Sequence, residues 1–351
     1  MDLPATAPRD AGRTSSESLA SGWMIRLWGV VAVFAAVTVI RSVLIGIPLR
    51  DPHGAIFLTR VALSAVLFAV LAGVDGVRRT AGPRTWRAVQ RTMRERWPRR
   101  RLLAAGGLLL AYHVVYFCYH NLKSWDVFNQ PRDALLLGWD RWLFLGHNPA
   151  ALLHAVLGEH LAAYVLMVVY ESFSTLVTVS VVAAVVLVDR LWDGAVFIAS
   201  MVWVWILGVA SYYAIPSLGP FWSAPHVFSR LPHTMVQGTQ ARYLAQRAEL
   251  LAHPHAAGSF AQVSAFASLH VAVTTVIVLM ASYYGLRRTT GVLIVFLCGT
   301  VLATVYLGWH FAVDDVAGLA IAWVAVQLGR WVIQPTREEG KACLTLEAPV
   351  D

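Results

Sequence analysis

Two residues near the C-terminal end of the chain have types and spacing suited to nucleophilic catalysis. His310 and Asp314 are four residues apart, which on a helix places an imidazole and a carboxylate on one face. The carboxylate can accept a hydrogen bond from one ring nitrogen, which fixes the tautomer and leaves the other nitrogen to act as a nucleophile. A capped helix end in interfacial water is the alternative interpretation of this spacing.

A second histidine lies forty residues earlier, in the segment Ser268-Leu269-His270. Ser268 can cap a helix, and the backbone N–H groups at such a helix start can hold a phosphate oxyanion. His270 beside them can protonate a leaving oxygen. A capped helix with an interfacial histidine is again the alternative, and it weakens if both histidines lie at one depth on one membrane face.

The elements that carry these residues are predicted to be membrane helices. The chain is 58% hydrophobic and only 14% charged, whereas a soluble protein carries about 25% charge. Crossing a bilayer takes roughly 20 apolar residues. We therefore predict an all-α, polytopic membrane helix bundle of about eight spans, with seven or six if the short loops are assigned differently. The predicted spans are 24–48, 55–75, 102–121, 160–188, 194–215, 265–285, 290–309 and 312–333.

The basic residues predict the orientation. Ten arginines fall between Arg78 and Arg101, in the loop 76–101 between apolar runs. Such a loop is typical of a cytoplasmic anchor against anionic lipid and not of a nucleic-acid site. Both termini then lie in the cytoplasm, and His270 and His310 face the extracytoplasmic side. The long helices favour a plasma or inner membrane.

The remaining segments complete the predicted organisation. Residues 1–22 are expected to be a disordered cytoplasmic tail and not a signal peptide, 23–335 the membrane domain, and 336–351 a second cytoplasmic tail. The outer segment 122–159 is predicted to lie amphipathically on the membrane, and the outer loop 216–264 to cover the site. The three cysteines show no spacing typical of a metal site or a disulfide framework, so we expect no cysteine metal site and no disulfide framework. No cofactor is expected either.

Ser268-Leu269-His270 and Tyr306-x-x-x-His310-x-x-x-Asp314 resemble the second and third motifs of the type 2 phosphatidic acid phosphatase superfamily. More narrowly, they resemble its branch of aureobasidin-resistance inositolphosphotransferases, the inositol-phosphorylceramide synthases. The resemblance implies a six-helix phosphatase-type core and a metal-independent phosphohistidine mechanism. It implies His310 as nucleophile, Asp314 as its orienting group and His270 as proton donor, with Ser268, Leu269 and Tyr306 beside the substrate.

The chain departs from the superfamily in its phosphate-binding residues. The first motif is a Lys followed by Arg-Pro, but the segment 212–220 contains neither Lys nor Arg. The Ser-Arg that opens the third motif is Ala303-Thr304. A phosphoryl group in transfer needs positive charge around its oxygens. We assign this charge to Lys123, which follows the third span, with a snorkelling interfacial lysine as the equal alternative.

These observations leave several functions open. The donor is expected to be a lipid phosphate or phospholipid. The acceptor is water in a phosphatase, or an inositol, sugar or lipid hydroxyl in a phosphotransferase, and the branch resemblance favours transfer. From another class, a proton-coupled transporter could use Glu171 and His113 within the spans, although no internal repeat supports it. The sequence carries no signal for an oligomeric state.

Overall fold

The described chain is entirely helical, as predicted. A computed structural model describes the backbone of residues 11–334 and the side chains of residues 22–334. Within that range there are thirteen α-helices, three single 3-10 turns and no strand. The α-helices are α1 Ala11–Ile45, α2 Leu58–Arg79, α3 Trp86–Arg96, α4 Arg99–Trp125, α5 Asp133–Leu143, α6 Pro149–Leu157, α7 Leu161–Val186, α8 Leu191–Ala214, α9 Pro220–Ser223, α10 Met235–Ala252, α11 Leu269–Tyr283, α12 Arg287–Tyr306 and α13 Ala312–Ile333.

Seven of these helices (α1, α2, α4, α7, α8, α12 and α13) are long and apolar enough to cross a membrane. The prediction of a polytopic helix bundle is thus confirmed. The sixth predicted span, 265–285, is wrong in its length, since α11 has 15 residues and is about 22 Å long. The extended backbone before α11 bonds to serine side chains, with Phe266 N–H donating to Ser217 and Ala267 N–H to Ser211, both at 2.9 Å.

Helix α8 forms the centre of the bundle and packs against α4, α7, α11 and α13. Small residues allow its neighbours to approach closely. A Cβ on Gly329 of α13 would overlap the hydroxyl of Ser200 on α8, and one on Gly208 of α8 would overlap Leu269 of α11. Close backbone approach at small residues is typical of packing between membrane helices. It holds α11 and α13, which carry the candidate catalytic residues, against one scaffold.

The Arg-rich segment and the two histidines lie at opposite ends of the bundle. Arg79 at the end of α2 pairs with Asp189 in the α7–α8 turn at 2.7 Å. The hydroxyl of Tyr284, after the end of α11, donates to the carbonyl of Asp193 at the start of α8 at 2.9 Å. The start of α11, with His270, is therefore at the other end.

Several segments outside the predicted spans contain helices. Helix α3 lies within the loop 76–101, α5 and α6 within 122–159, and α10 within 216–264. Part of the disordered tail expected at 1–22 is also helical, because α1 begins at Ala11. Residues 1–10 and the tail 336–351 lie outside the described residues. Capping explains α10, since Thr234 and Gln237 form a capping box at its start.

Part of the Arg-rich segment is bound within the protein. Arg96 contacts Asp75 at 3.4 Å, and Arg96 and Arg101 each donate to the carbonyl of Val188, at 2.6 and 2.8 Å. These arginines tie α3 and the start of α4 to the end of α7. Exposed arginines within and around α3, such as Arg84, Arg87 and Arg94, remain for the predicted contact with anionic lipid.

Candidate active site

His310 and Asp314 meet where α12 ends and α13 begins. His310 lies in the turn between the two helices, and its backbone N–H donates to the carbonyl of Thr304 at 3.1 Å. Asp314 stands in the first turn of α13. Its Oδ2 lies 3.4 Å from Nδ1 of His310 and accepts the backbone N–H of Phe311 at 3.0 Å. The carboxylate therefore faces one nitrogen of the imidazole while it caps its own helix.

Burial controls the charge of His310, whose side chain is 6% exposed. Burial lowers the pKa of His310 to about 4, because the charged imidazolium loses water. The negative charge of Asp315 opposes this shift, and the positive charge of Lys123 adds to it. The imidazole is consequently neutral near pH 7, which is the form that can attack an electrophile.

His270 stands in the first turn of α11 with its ring centroid 5.7 Å from that of His310. Two aromatic residues of α7 hold it there. Tyr170 stacks on the imidazole at 4.3 Å and Phe173 lies at 4.4 Å. Two segments forty residues apart thus bring their histidines to one place, as the sequence predicts.

Both histidines line a cavity of about 250 Å³ at this end of the bundle. One wall is aromatic and includes Tyr119, Trp205, Tyr212 and Trp309. The polar and charged residues of the lining are Arg60, His120, Lys123, Glu171, Ser174, Thr239, Arg242, Gln262, Ser264, His270 and His310. In the described part of the chain, no group of three or more His, Cys, Asp or Glu side chains is arranged to hold a metal ion.

Lys123 is one of three cationic residues in this lining. It lies near the end of α4, with its ammonium 5.6 Å from the ring centroid of Tyr212. Arg60 reaches the cavity from α2 and Arg242 from α10. The sequence analysis singled out Lys123, but it missed Arg60, because this residue lies within a predicted span.

Of the other predicted substrate-binding residues, one lines the cavity and the others do not. Leu269 lines the cavity. Ser268 caps α11 as expected, with its hydroxyl 3.4 Å from the N–H of Val271, but it is fully buried and lies outside the cavity lining. Its backbone N–H donates to the carbonyl of Asp314 at 3.0 Å, which joins the two motifs directly.

Tyr306 was predicted at the substrate and is instead a packing residue. Its side chain is fully buried, and its hydroxyl donates to the carbonyl of Gly158 at 2.6 Å. Its own carbonyl accepts from Nε2 of His154 at 2.9 Å. Tyr306 therefore fastens the end of α12 to α6 and does not line the cavity.

Thr304 stands where the superfamily has an arginine, and it takes part in a different network. Its hydroxyl donates to Oδ2 of the buried Asp315 at 2.9 Å, and its carbonyl accepts the N–H of His310. The neutral Thr304 thus stabilises the turn that carries His310. The positive charge around the site comes from other elements.

Two aspartates of α5 bind the backbone around the site, and the sequence analysis assigned a role to neither. Asp140 accepts the N–H groups of Ala312 and Val313 at the start of α13, each at 3.0 Å. Asp133 accepts the N–H groups of Leu218 and Gly219, at 3.0 and 2.7 Å. Burial raises the pKa of both carboxyls, and the N–H donors oppose the shift.

A signal for these aspartates was present in the sequence. Asp133 and Asp140 are seven residues apart, which is two turns on one face of α5, in a segment otherwise rich in Leu and Trp. Carboxylates that recur at this spacing on an otherwise apolar face indicate buried acceptors for backbone N–H groups, because buried acids need such partners.

Comparison with known proteins gives one match. A family model described as the PAP2 superfamily matches residues 134–328, which is more than half of the chain. No curated protein and no solved structure matches the chain. The matched part contains His270, His310 and Asp314 together with Asp140, whereas Lys123 lies outside it.

Proposed function

Because the chain belongs to the PAP2 superfamily, whose members are generally phosphatases acting on lipid phosphates, we propose that it transfers a phosphoryl-containing group from a membrane lipid through a covalent intermediate on His310. The observation that carries this proposal is the pairing of His310 Nδ1 with Asp314 at 3.4 Å, in one cavity with His270 and Lys123.

In the first step Nε2 of His310 attacks phosphorus, and the bond from phosphorus to the leaving oxygen breaks. Asp314 accepts a hydrogen bond from the Nδ1–H group of His310 and stabilises the positive charge that forms on the ring. His270 gives a proton to the leaving oxygen. In the second step His270 takes a proton from the acceptor hydroxyl, whose oxygen attacks phosphorus and frees His310.

Positive charge for the phosphoryl oxygens comes from Lys123, with Arg242 on the facing helix α10. A phosphoryl group in transfer carries its charge on the three equatorial oxygens, and cations placed beforehand stabilise it. Lys123 and His310 line the same cavity, which supports a position of Lys123 near the phosphoryl group.

For the acceptor we favour a polyol such as inositol or a sugar. The cavity lining combines hydrogen-bonding groups of Glu171, Thr239 and Gln262 with aromatic rings. Aromatic faces with a few convergent polar groups are typical of sites for small polar molecules. Water as acceptor, which would make the protein a phosphatase, is the second candidate, and the general activity of the superfamily favours it.

We also propose that the site faces the extracytoplasmic side of a plasma or inner membrane. The arginines at the opposite end of the bundle support this orientation through the excess of basic residues in cytoplasmic loops. The orientation is tested in intact cells by labelling the introduced cysteines of His226→Cys and Arg94→Cys with a thiol reagent that does not cross the membrane. Labelling of Arg94→Cys alone would reverse the orientation.

The activity is tested by incubating the purified protein with candidate lipid donors, with and without inositol or sugar alcohols, and analysing the lipids by mass spectrometry. A new phosphodiester that requires the polyol supports transfer, and free phosphate alone supports hydrolysis. His310→Ala should abolish either product. Turnover that survives this change would remove His310 from the role of nucleophile.

A further inference from the structure

Beyond the histidines, the cavity continues to a second pair of nitrogen-rich side chains, Arg60 and His120. We propose that Arg60 and His120 bind a second phosphate group, carried by one of the two reactants next to the phosphoryl group that is transferred. The inference rests on the proposed function and narrows its substrate class to reactants with an additional phosphate.

Arg60 is placed to bind a ligand because the protein leaves its polar groups unused. Its guanidinium lies 4.8 Å from the ring centroid of Tyr116, and it makes no hydrogen bond or ion pair with any residue that the structure describes. A guanidinium has five N–H donors in a planar fork that matches phosphate oxygens. Tyr116 holds the group beside the cavity while its donors remain available.

His120 gives independent evidence for a ligand at the same place. Its edge packs on Tyr116 with ring centroids 4.5 Å apart, and both of its ring nitrogens are buried without a hydrogen-bond partner among the described residues. Buried polar groups are nearly always hydrogen-bonded, because leaving one unpaired is costly. A phosphate oxygen in the cavity would provide the missing partner.

Position separates this pair from the site of phosphoryl transfer. His120 and Lys123 are three residues apart and share one face of α4. Arg60 and His120 both contact Tyr116, whereas His270 and His310 contact each other. Because both pairs and Lys123 line one cavity, a ligand bound by Arg60 and His120 can also contact Lys123.

The charge of the lining agrees with a multiply charged ligand. The cations Arg60, Lys123 and Arg242 face a single carboxylate, Glu171. Arg60 and His120 also lie outside residues 134–328, the part that matches the superfamily. The second subsite is thus formed by α2 and α4, which precede the matched residues.

The first experiment measures the binding of two inert probes to the full-length protein in lipid nanodiscs by calorimetry. We expect methylenediphosphonate to bind about tenfold more tightly than methylphosphonate, since one further charge-assisted contact forms. Arg60→Gln and His120→Phe should each reduce this ratio towards one. Arg141→Gln, an exposed arginine of α5 outside the cavity lining, is the matched control and should keep the wild-type ratio.

Turnover then identifies which reactant carries the second phosphate. If it is the donor, Arg60→Gln will raise KM about tenfold more for a prenyl diphosphate than for the prenyl monophosphate. If it is the acceptor, the same selective loss will appear for inositol phosphate against inositol. Equal binding of the two probes to the wild type, or equal losses for all reactants in Arg60→Gln, would overturn the proposal. Absent turnover with the binding ratio preserved would instead reject the proposed function alone.

Discussion

Asp140 offers the sharpest test of how the fold positions its catalytic turn. The carboxylate is 1% exposed, and each oxygen accepts one backbone N–H at the start of α13, at 3.0 Å. These N–H groups belong to Ala312 and Val313, the residues between Phe311 and Asp314. Helix starts favour negative charge because their N–H groups are unpaired and the helix dipole is positive there. Asp140 should therefore act as a positioning residue for His310.

The size of the effect follows from these two bonds. A hydrogen bond to a charged group contributes about 1.5–3 kcal/mol, so Asp140→Asn, which keeps one acceptor oxygen, should lower the free energy of unfolding by about 2 kcal/mol. Asp140→Ala removes both bonds and should cost roughly twice as much. A displacement of about 1 Å at a reacting group can cost about a hundredfold in rate. We expect kcat to fall about tenfold in Asp140→Asn and about a hundredfold in Asp140→Ala, with KM nearly unchanged because Asp140 does not line the cavity.

The assay compares kcat, KM and the melting temperature of the purified variants. Asp133→Ala is the matched control for Asp140→Ala, because Asp133 lies on the same helix and also accepts two backbone N–H groups, but those of Leu218 and Gly219. Both alanine variants should lose similar stability, while Asp140→Ala should lose many times more kcat. Equal losses of kcat in the two variants would refute the positioning role and leave Asp140 as a stabilising residue only.

Three further predictions concern the charge, the packing and the protonation of the site. Lys123→Ala should raise KM for the lipid phosphate about tenfold and lower kcat, because a charge-assisted contact is lost. Lys123→Arg should restore part of the loss in KM and in kcat. Unchanged KM and kcat in Lys123→Ala would exclude Lys123 from the site. Gly219→Ala should lower the free energy of unfolding by about 2 kcal/mol, since Gly219 has a φ of +110° and a Cβ there would lie 2.6 Å from the carbonyl oxygen of Trp309. The control is Gly238→Ala on α10, where a Cβ would point into open space. Equal melting temperatures of the two variants would contradict the packing argument. The pKa of His310 is about 4 in the folded protein against 6.5 ordinarily, so the unfolded chain binds the extra proton between these values. The free energy of unfolding should then decrease by about 3 kcal/mol as pH drops from 6.5 to 4, and the apparent melting temperature should fall with it. His310→Gln should flatten this dependence. Melting temperatures that fall in parallel with pH in the wild type and the variant would disprove the effect of burial.

The membrane helices could be predicted from sequence because their signal is local. An apolar run of about 20 residues identifies a span whatever it packs against. The start of α11 could not be predicted in this way. Residues 265–267 are as apolar as a span, but they are held in an extended form by Ser211 and Ser217, which are distant in sequence.

The superfamily was also predictable, because its motifs are short and carry the reacting groups themselves. His270, His310 and Asp314 are brought together, and the family match confirms the superfamily, while the inositolphosphotransferase branch stays a prediction. Tyr306 shows the limit of carrying motif residues over. It stands one turn before the catalytic histidine, but it faces α6, and only the packing of α6 against α12 reveals this.

Most of the cations that line the cavity lie outside the part of the chain that matches the superfamily. In the matched region, Arg242 is the only described cation that lines the cavity, while Lys123 and Arg60 come from α4 and α2, before that region begins. Transfer at His310 needs cations near the phosphoryl oxygens, but electrostatic attraction does not require that they come from a particular helix. The loss of the first-motif Lys and Arg is therefore compatible with catalysis if α2 and α4 pack where they do, through Tyr116, Trp205 and Tyr212. In the proposed mechanism α2 and α4 therefore supply cations to the site. Residues 134–328 expressed alone should then retain the histidine pair but bind lipid phosphates poorly.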